Sequence, residues 1–104
     1  MAKLPVEIET KARQYVDVLN KHGFTVSAAY VFGSFAHGNW NESSDIDIAI
    51  VSAAFEGIRF TDRQKLNGLH SDIDLRISVM PFSIASFENS ILHKEIVSTG
   101  VRVA

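Results

Sequence analysis

Asp45 and Asp47 lie two residues apart at the start of an apolar run. If that run is a β-strand, side chains two residues apart project to the same face, at a separation of roughly 6.6 Å. Two carboxylates so close repel each other unless a cation lies between them. Mg²⁺ prefers oxygen ligands and keeps coordination positions open for water and substrate phosphates. Asp45 and Asp47 are therefore predicted to bind Mg²⁺.

A third carboxylate from a neighbouring strand would complete a site for two metal ions roughly 3.5–4 Å apart. Asp72 and Asp74 both lie in a later segment that alternates polar and apolar residues. Asp74 is favoured because its apolar neighbours Ile73 and Leu75 would hold its backbone inside a strand. Asp72 stays open as the alternative, and both residues could instead line a solvent-exposed strand edge beside Arg76.

The residues Gly33 and Ser34 follow a predicted strand and precede a predicted short helix. In such a turn, backbone N–H groups and a hydroxyl can bind a phosphate. Gly33 would let the backbone approach the phosphate closely, Ser34 would donate to a terminal phosphate oxygen, and Gly38 would let the loop turn back toward Asp45. A lone Gly-Ser is usually only a turn, so this prediction depends on the aspartates downstream.

These residues must be positioned by helices and strands, which the periodicity of apolar residues predicts. Helices are expected over 5–22, 34–38, around 62–69 and from Ser83 to Gly100, and strands over 24–32, 45–51 and 72–79, the last ended by Met80-Pro81. This order predicts an α+β (mixed α/β) fold in which helices cover one face of a small mixed sheet. With 104 residues and no linker, the chain is predicted to be a single domain over 1–104.

Composition excludes several classes of function. There is no cysteine, which removes disulfides, thiol nucleophiles and Cys-based zinc sites, and the net charge of −2 argues against an extended nucleic-acid interface. The first residues, 1–5, lack the apolar core of a signal peptide, and no apolar run is long enough to span a membrane, so a cytoplasmic protein is expected. A chain this short buries a modest core, so a partner subunit would add useful burial.

The motif Gly33-Ser34, ten further residues that end in Ser44, and then Asp45-Ile46-Asp47 resembles the Gly-Ser and Asp-x-Asp motif of DNA polymerase β-like nucleotidyltransferases. The resemblance is strongest to the minimal nucleotidyltransferases of bacteria and archaea, and with Asp74 and the C-terminal 100–103 it covers nearly the whole chain. It implies a nucleotidyltransferase-like fold that transfers a nucleoside monophosphate, AMP from ATP, to a hydroxyl with two Mg²⁺ ions. Its implied site residues are the metal ligands Asp45, Asp47 and Asp74, the last also assisting acceptor deprotonation, and the nucleotide-binding Gly33, Ser34, Gly38 and Ser44.

Small members of this family often resemble one half of a two-gene pair whose other half is a helical HEPN-type protein. The resemblance therefore implies an antitoxin that transfers AMP to a HEPN-type partner. Many relatives carry arginine where this chain has Phe35 and His37, positions at which a cation could hold phosphate. That departure favours the alternative function, a non-catalytic antitoxin or binding subunit that neutralises its partner by contact. Arg76 is a candidate to replace the missing cations.

Overall fold

A computed structural model describes residues 4–104 of the protein. The prediction that the chain begins without a signal peptide therefore falls largely on residues 1–3, outside the described range. Within that range no helix combines the length and the apolar character needed to cross a membrane. The elements follow in the order α1 (Val6–Lys21), β1 (Val26–Phe32), α2 (Ser34–His37), β2 (Ile46–Ser52), α3 (Arg59–Lys65), β3 (Ile77–Phe82), α4 (Ile84–Glu88), α5 (His93–Thr99) and β4 (Val101–Arg102).

The sheet has four strands in the order β3-β2-β1-β4. β1 pairs antiparallel with both β2 and β4, whereas β2 and β3 are parallel, so the predicted small mixed sheet and the α+β class are confirmed. The register sets Asp47 of β2 between Phe32 on β1 and Ser78 on β3. The two inner strands thus bring the end of β1 and the start of β2 to one end of the sheet.

The helices pack on both faces of the sheet, which corrects the prediction of a single covered face. Ile46, Ile48 and Ile50 of β2 face a core formed largely with α1. Ala49 and Val51 of the same strand face a second cluster, whose other fully buried members are Tyr30, Phe82, Phe87 and Ile96. A central strand buried on both sides needs a continuous apolar run rather than strict alternation, and the sequence after Asp47 supplies one.

The third strand begins five residues later than predicted. Asp74 Oδ1 accepts a hydrogen bond from the backbone N–H of Arg76 at 2.8 Å, a local turn that competes with extended structure. Leu75, expected on the apolar face, is 78% exposed. β3 also runs through Met80 and Pro81 instead of ending there, which is possible because β3 is an edge strand and proline is tolerated at an edge.

The C-terminal part contains two short helices and a strand where one helix was predicted. Ser83 does cap α4: its Oγ accepts from Ser86 N at 3.1 Å and its own N–H donates to Ser86 Oγ at 2.9 Å. α4 ends at Glu88, and α5 starts at His93. The final β4 pairs with the middle of β1 and was not predicted, because two residues carry no periodicity.

Candidate active site

Asp45 and Asp47 lie at the start of β2, as the sequence predicted. The strand begins at Ile46, so Asp45 directly precedes it and Asp47 is its second residue. Ile46 is fully buried between them, Asp45 is exposed and Asp47 is half-buried. Asp47 therefore projects from the sheet face opposite Ile46, beyond the cluster formed by α4 and α5.

Among the described residues, the two carboxylates have no compensating partner. Within residues 4–104, neither Asp45 nor Asp47 takes part in an ion pair, and neither side chain accepts a hydrogen bond. Burial raises the pKa of Asp47, and the nearby charge of Asp45 raises it further. Both effects penalise the ionised form, and a bound cation would reverse both. The donor set, two carboxylates on one face, fits a hard divalent ion such as Mg²⁺.

Gly33 of the Gly-Ser motif lies against the carboxylate of Asp47. Its backbone has φ 74° and ψ −148°, a conformation that side-chain-bearing residues rarely adopt. A Cβ at this position would overlap the carboxylate of Asp47 and would lie 3.2 Å from its Cγ. The turn from β1 into α2 therefore passes directly against Asp47, and only glycine leaves room for the carboxylate.

The other predicted nucleotide contacts lie on the same turn and on the loop that follows. Ser34 begins α2, and its hydroxyl forms no hydrogen bond within the described part of the chain. Gly38 ends α2 in the left-handed conformation with φ 83°. Ser44 Oγ accepts from Asn41 N at 2.9 Å, so this hydroxyl stabilises the turn before β2. The nucleotide contacts of Ser34, Gly38 and Ser44 stay predictions. Of the two hydroxyls, that of Ser44 already accepts a hydrogen bond from Asn41 N.

The side chain of Asp74 is engaged by two cations. Asp74 precedes β3, and its side chain, 9% exposed, forms 2.8 Å ion pairs through Oδ2 with Arg76 Nη2 and with Lys11 Nζ. The guanidinium of Arg76, with the ammonium of Lys11, holds the pKa of Asp74 well below its usual range. Lys11 belongs to α1, which packs on the sheet face opposite Asp47. Asp74 therefore ties α1 to the loop before β3.

The structure also describes Asp72, the alternative third carboxylate, and Arg76, the candidate phosphate cation. Asp72 lies exposed in a turn. Arg76, the candidate for the missing phosphate cation, is engaged by Asp74 and donates to the Glu42 carbonyl at 3.2 Å. Among residues 4–104, no group of three or more His, Cys, Asp or Glu side chains is arranged to hold a metal ion.

Ser78 lies beside Asp47 on the neighbouring strand, where the sequence analysis expected a third carboxylate. It is the β3 residue paired with Asp47, and alternation along the parallel strands directs both side chains to the same face. Only the register reveals this, because the sequence pattern placed β3 five residues too early. Ser78 therefore places a hydroxyl, a weaker ligand for Mg²⁺ than a carboxylate, beside Asp47.

Phe35 and His37 supply no fixed cation beside the Gly-Ser turn. Phe35 is 1% exposed and stacks on Trp40 with ring centroids 5.2 Å apart, so it belongs to the core. His37 Nε2 lies 3.7 Å from Glu95 Oε1, a contact that links α2 to α5. Among the described residues, the Gly33-Ser34 turn therefore offers a predicted phosphate only backbone and hydroxyl groups.

Three solved structures share this fold, and the first two cover more than nine-tenths of the chain. A candidate nucleotidyltransferase from Sulfolobus solfataricus aligns over 93% of this chain and 79% of its own, with TM-score 0.65 and 19% identity. A toxin–antitoxin solved with AMP-PNP aligns over 92% and 72%, with TM-score 0.61 and 24% identity. A variant of the toxin–antitoxin MntA-HpeT, with two aspartates two positions apart changed to glutamate, aligns over 89% and 72%, with TM-score 0.59 and 24% identity.

No curated protein matches the chain significantly. The family described as Polymerase beta, Nucleotidyltransferase matches residues 13–104, which span every element from α1 to β4, including the Gly33 turn and both aspartates of β2. With the fold and the geometry of the Gly-Ser turn in agreement, the chain belongs to the polymerase β nucleotidyltransferase family.

Proposed function

We propose that the protein transfers AMP from ATP to a hydroxyl group of a partner protein, with a divalent metal ion held by Asp45 and Asp47. The observation that carries this proposal is the contact between Gly33 and Asp47. That contact shapes the Gly-Ser turn around a carboxylate whose charge nothing in the described chain compensates. Burial and the charge of Asp45 disfavour the ionised form of Asp47, and binding of a cation and a triphosphate would explain the arrangement.

In the proposed reaction, the acceptor oxygen forms a bond to the α-phosphorus and the bond from that phosphorus to the pyrophosphate oxygen breaks. The acceptor proton leaves to a base or to water. A bound Mg²⁺ supplies charge neutralisation at the phosphate oxygens. Asp45 and Asp47 hold the ion, Gly33 lets the backbone approach the phosphates, and the free hydroxyl of Ser34 donates to a phosphate oxygen.

The proposed partner is a helical protein of the HEPN type, with this chain acting as its antitoxin. Support comes from the two toxin–antitoxin structures of similar fold, one of them solved with the ATP analogue AMP-PNP. The MntA-HpeT variant, in which two aspartates two positions apart were changed, draws attention to the matching spacing of Asp45 and Asp47 here. Exposed apolar side chains such as Ile91, 98% exposed, offer surface for such a partner.

The number of metal ions depends on the third carboxylate. A site for two ions with Asp74 as the third ligand would require Asp74 to leave both Lys11 and Arg76. We expect Asp74→Asn to keep the Mn²⁺ affinity of the wild type, whereas Ser78→Asp places a third carboxylate beside Asp47 and binds Mn²⁺ roughly tenfold tighter. Loss of Mn²⁺ binding in the folded Asp74→Asn variant would instead identify Asp74 as a metal ligand.

A second candidate function is neutralisation of the partner by contact, without transfer. Two observations favour it: Phe35 is part of the core rather than a phosphate ligand, and Ser78 lies where a third carboxylate would complete the site. The two functions differ in whether the partner gains AMP.

The test uses the protein, the product of the adjacent gene as the proposed partner, Mg²⁺ and ATP labelled at the α-phosphate. Asp45→Asn and Asp47→Asn are compared with Asp17→Asn, an exposed aspartate on α1 that forms no ion pair within residues 4–104. We expect labelled partner with the wild type and Asp17→Asn only. Partner neutralised by every variant, with no label in any sample, would establish the second function and refute transfer.

A further inference from the structure

A cavity among the described residues lies between α3 and β3, on the sheet face opposite Asp47. This α3–β3 groove has a volume of about 680 Å³. Its floor includes Ile77 and Val79, which point toward the α1 side of the sheet, whereas Asp47 points to the other side. The groove is therefore separated from the proposed nucleotide site by the sheet itself.

The charged residues that line the groove are all basic or titratable to a cation. Arg59 and Arg63 lie one helical turn apart on α3, and His70 faces them from the following turn. Neither arginine forms an ion pair within residues 4–104. In a chain whose net charge is −2, two uncompensated arginines in one cavity form a local positive patch.

The acidic residue of α3 does not neutralise this patch by contact. Asp62 is fully buried, and its carboxylate accepts the backbone N–H groups of Glu56 and Gly57, both at 2.9 Å. Lys65 also donates to it, at 3.4 Å. The Asp62 charge is thus used inside the fold, and the arginines remain available to a ligand.

The groove also has apolar lining. Phe60, beside Arg59 on α3, is 73% exposed, and Leu66, Ile77 and Val79 complete the apolar part of the lining. β3 is the edge strand of the sheet, so its outer backbone groups have no strand partner among the described residues. An extended peptide can use such an edge together with an apolar pocket.

We propose that the α3–β3 groove docks a segment of a partner protein in which carboxylates flank an apolar side chain. The carboxylates pair with Arg59 and Arg63, and the apolar side chain packs on Phe60 and the groove floor. Nucleic acid fits less well, because the net negative charge and a patch of two arginines cannot follow a phosphate backbone over several nucleotides. Docking here leaves the face that carries Asp47 free.

The probe is a fluorescein-labelled decapeptide of alternating glutamate and leucine, titrated by anisotropy into the full chain without ATP or Mg²⁺. We expect Arg59→Glu/Arg63→Glu to weaken binding by at least about tenfold, and Phe60→Ser, at an exposed position, to weaken it several-fold. Lys21→Glu/Lys94→Glu is the matched control, with the same change in charge on α1 and α5, and should bind as the wild type does. Unfolding midpoints confirm that each variant is folded.

Three results would overturn the proposal: no binding of the acidic peptide, equal binding by the Arg59/Arg63 variant and the control, or tighter binding of a single-stranded RNA decamer than of the peptide. A peptide with lysine in place of glutamate should not bind. Because no nucleotide is present, a failure here is independent of whether Asp45 and Asp47 support AMP transfer.

Discussion

Replacing Gly33 by alanine should damage the proposed metal site and the fold together. At φ 74° and ψ −148°, a residue with a side chain costs about 1–3 kcal/mol in backbone strain. The added methyl group also meets the Asp47 carboxylate, and forcing a group into an occupied space typically costs about 1–3 kcal/mol. Gly33→Ala should therefore lose roughly 2–6 kcal/mol of unfolding free energy, or displace Asp47 to relieve part of that cost.

Gly23→Ala is the matched control. Gly23 follows α1 with φ 87°, and a Cβ there would meet nothing within 4 Å. Backbone strain alone should therefore destabilise this variant. Unfolding in urea, with and without saturating Mn²⁺, measures both effects. At a hundredfold excess over the dissociation constant, a bound ion adds about 2.7 kcal/mol of stability. The wild type and Gly23→Ala should gain that amount, and Gly33→Ala should gain little.

The comparison can refute the argument directly. If Gly33→Ala and Gly23→Ala lose the same stability and gain equally from Mn²⁺, then Gly33 does not shape the position of Asp47. The glycine would then serve the turn only, and the proposed link between the Gly-Ser motif and the aspartate pair would fail.

Three further predictions concern groups outside the metal site. The hydroxyl of Tyr15 is buried without a partner among residues 4–104, so Tyr15→Phe should raise the unfolding free energy by about 1 kcal/mol. Burial also raises the pKa of Tyr15, so the wild type loses stability as pH rises above about 10, where the unfolded tyrosine ionises. Urea unfolding midpoints measured at pH 8 and 10.5 should therefore fall less in Tyr15→Phe than in the wild type. Asp62→Ala leaves the N–H groups of Glu56 and Gly57 without their acceptor and should lower the free energy of unfolding, measured with urea, by about 2–5 kcal/mol. An unchanged free energy of unfolding would contradict the hydrogen bonds described. Because its folded pKa is depressed, Asp74 contributes stability that is present above about pH 4 and lost as pH falls further. Asp74→Asn should therefore be less stable than the wild type at pH 7, and its unfolding free energy should fall less steeply as pH is lowered.

The chemistry-bearing part of the fold was predictable because its signals are local. Helix α1, the strand that ends at Phe32, the short helix after Gly33 and the strand that begins beside Asp45 all lie within two residues of their predicted bounds. Each is specified by its own periodicity or by a glycine at a turn. The connection over 33–45, which contains α2, returns the chain from the end of β1 to the start of β2 and so places these ends together.

The third strand was mispredicted because two patterns overlap. The alternation from Asp72 to Val79 favours a strand, but the side chain of Asp74 hydrogen-bonds the backbone at Arg76 and forms a turn. Lys11, which pairs with the same carboxylate, lies 63 residues earlier in the chain. A partner so distant in sequence leaves no local signal, so neither the turn nor the displacement of the strand could be inferred from spacing.

The structure separates aspartates that look equivalent in the sequence by whether the fold compensates their charge. Asp62 accepts two backbone N–H groups and Asp74 holds two cations, so each stabilises the protein through its charge. Asp45 and Asp47 have no such partner among the described residues, and burial beside a like charge makes ionised Asp47 unfavourable. A carboxylate whose ionised form is disfavoured by burial and by a like charge is a candidate to bind a cation, and this property of Asp47, together with the Asp-x-Asp spacing, supports the proposal that the pair at the start of β2 is the functional one.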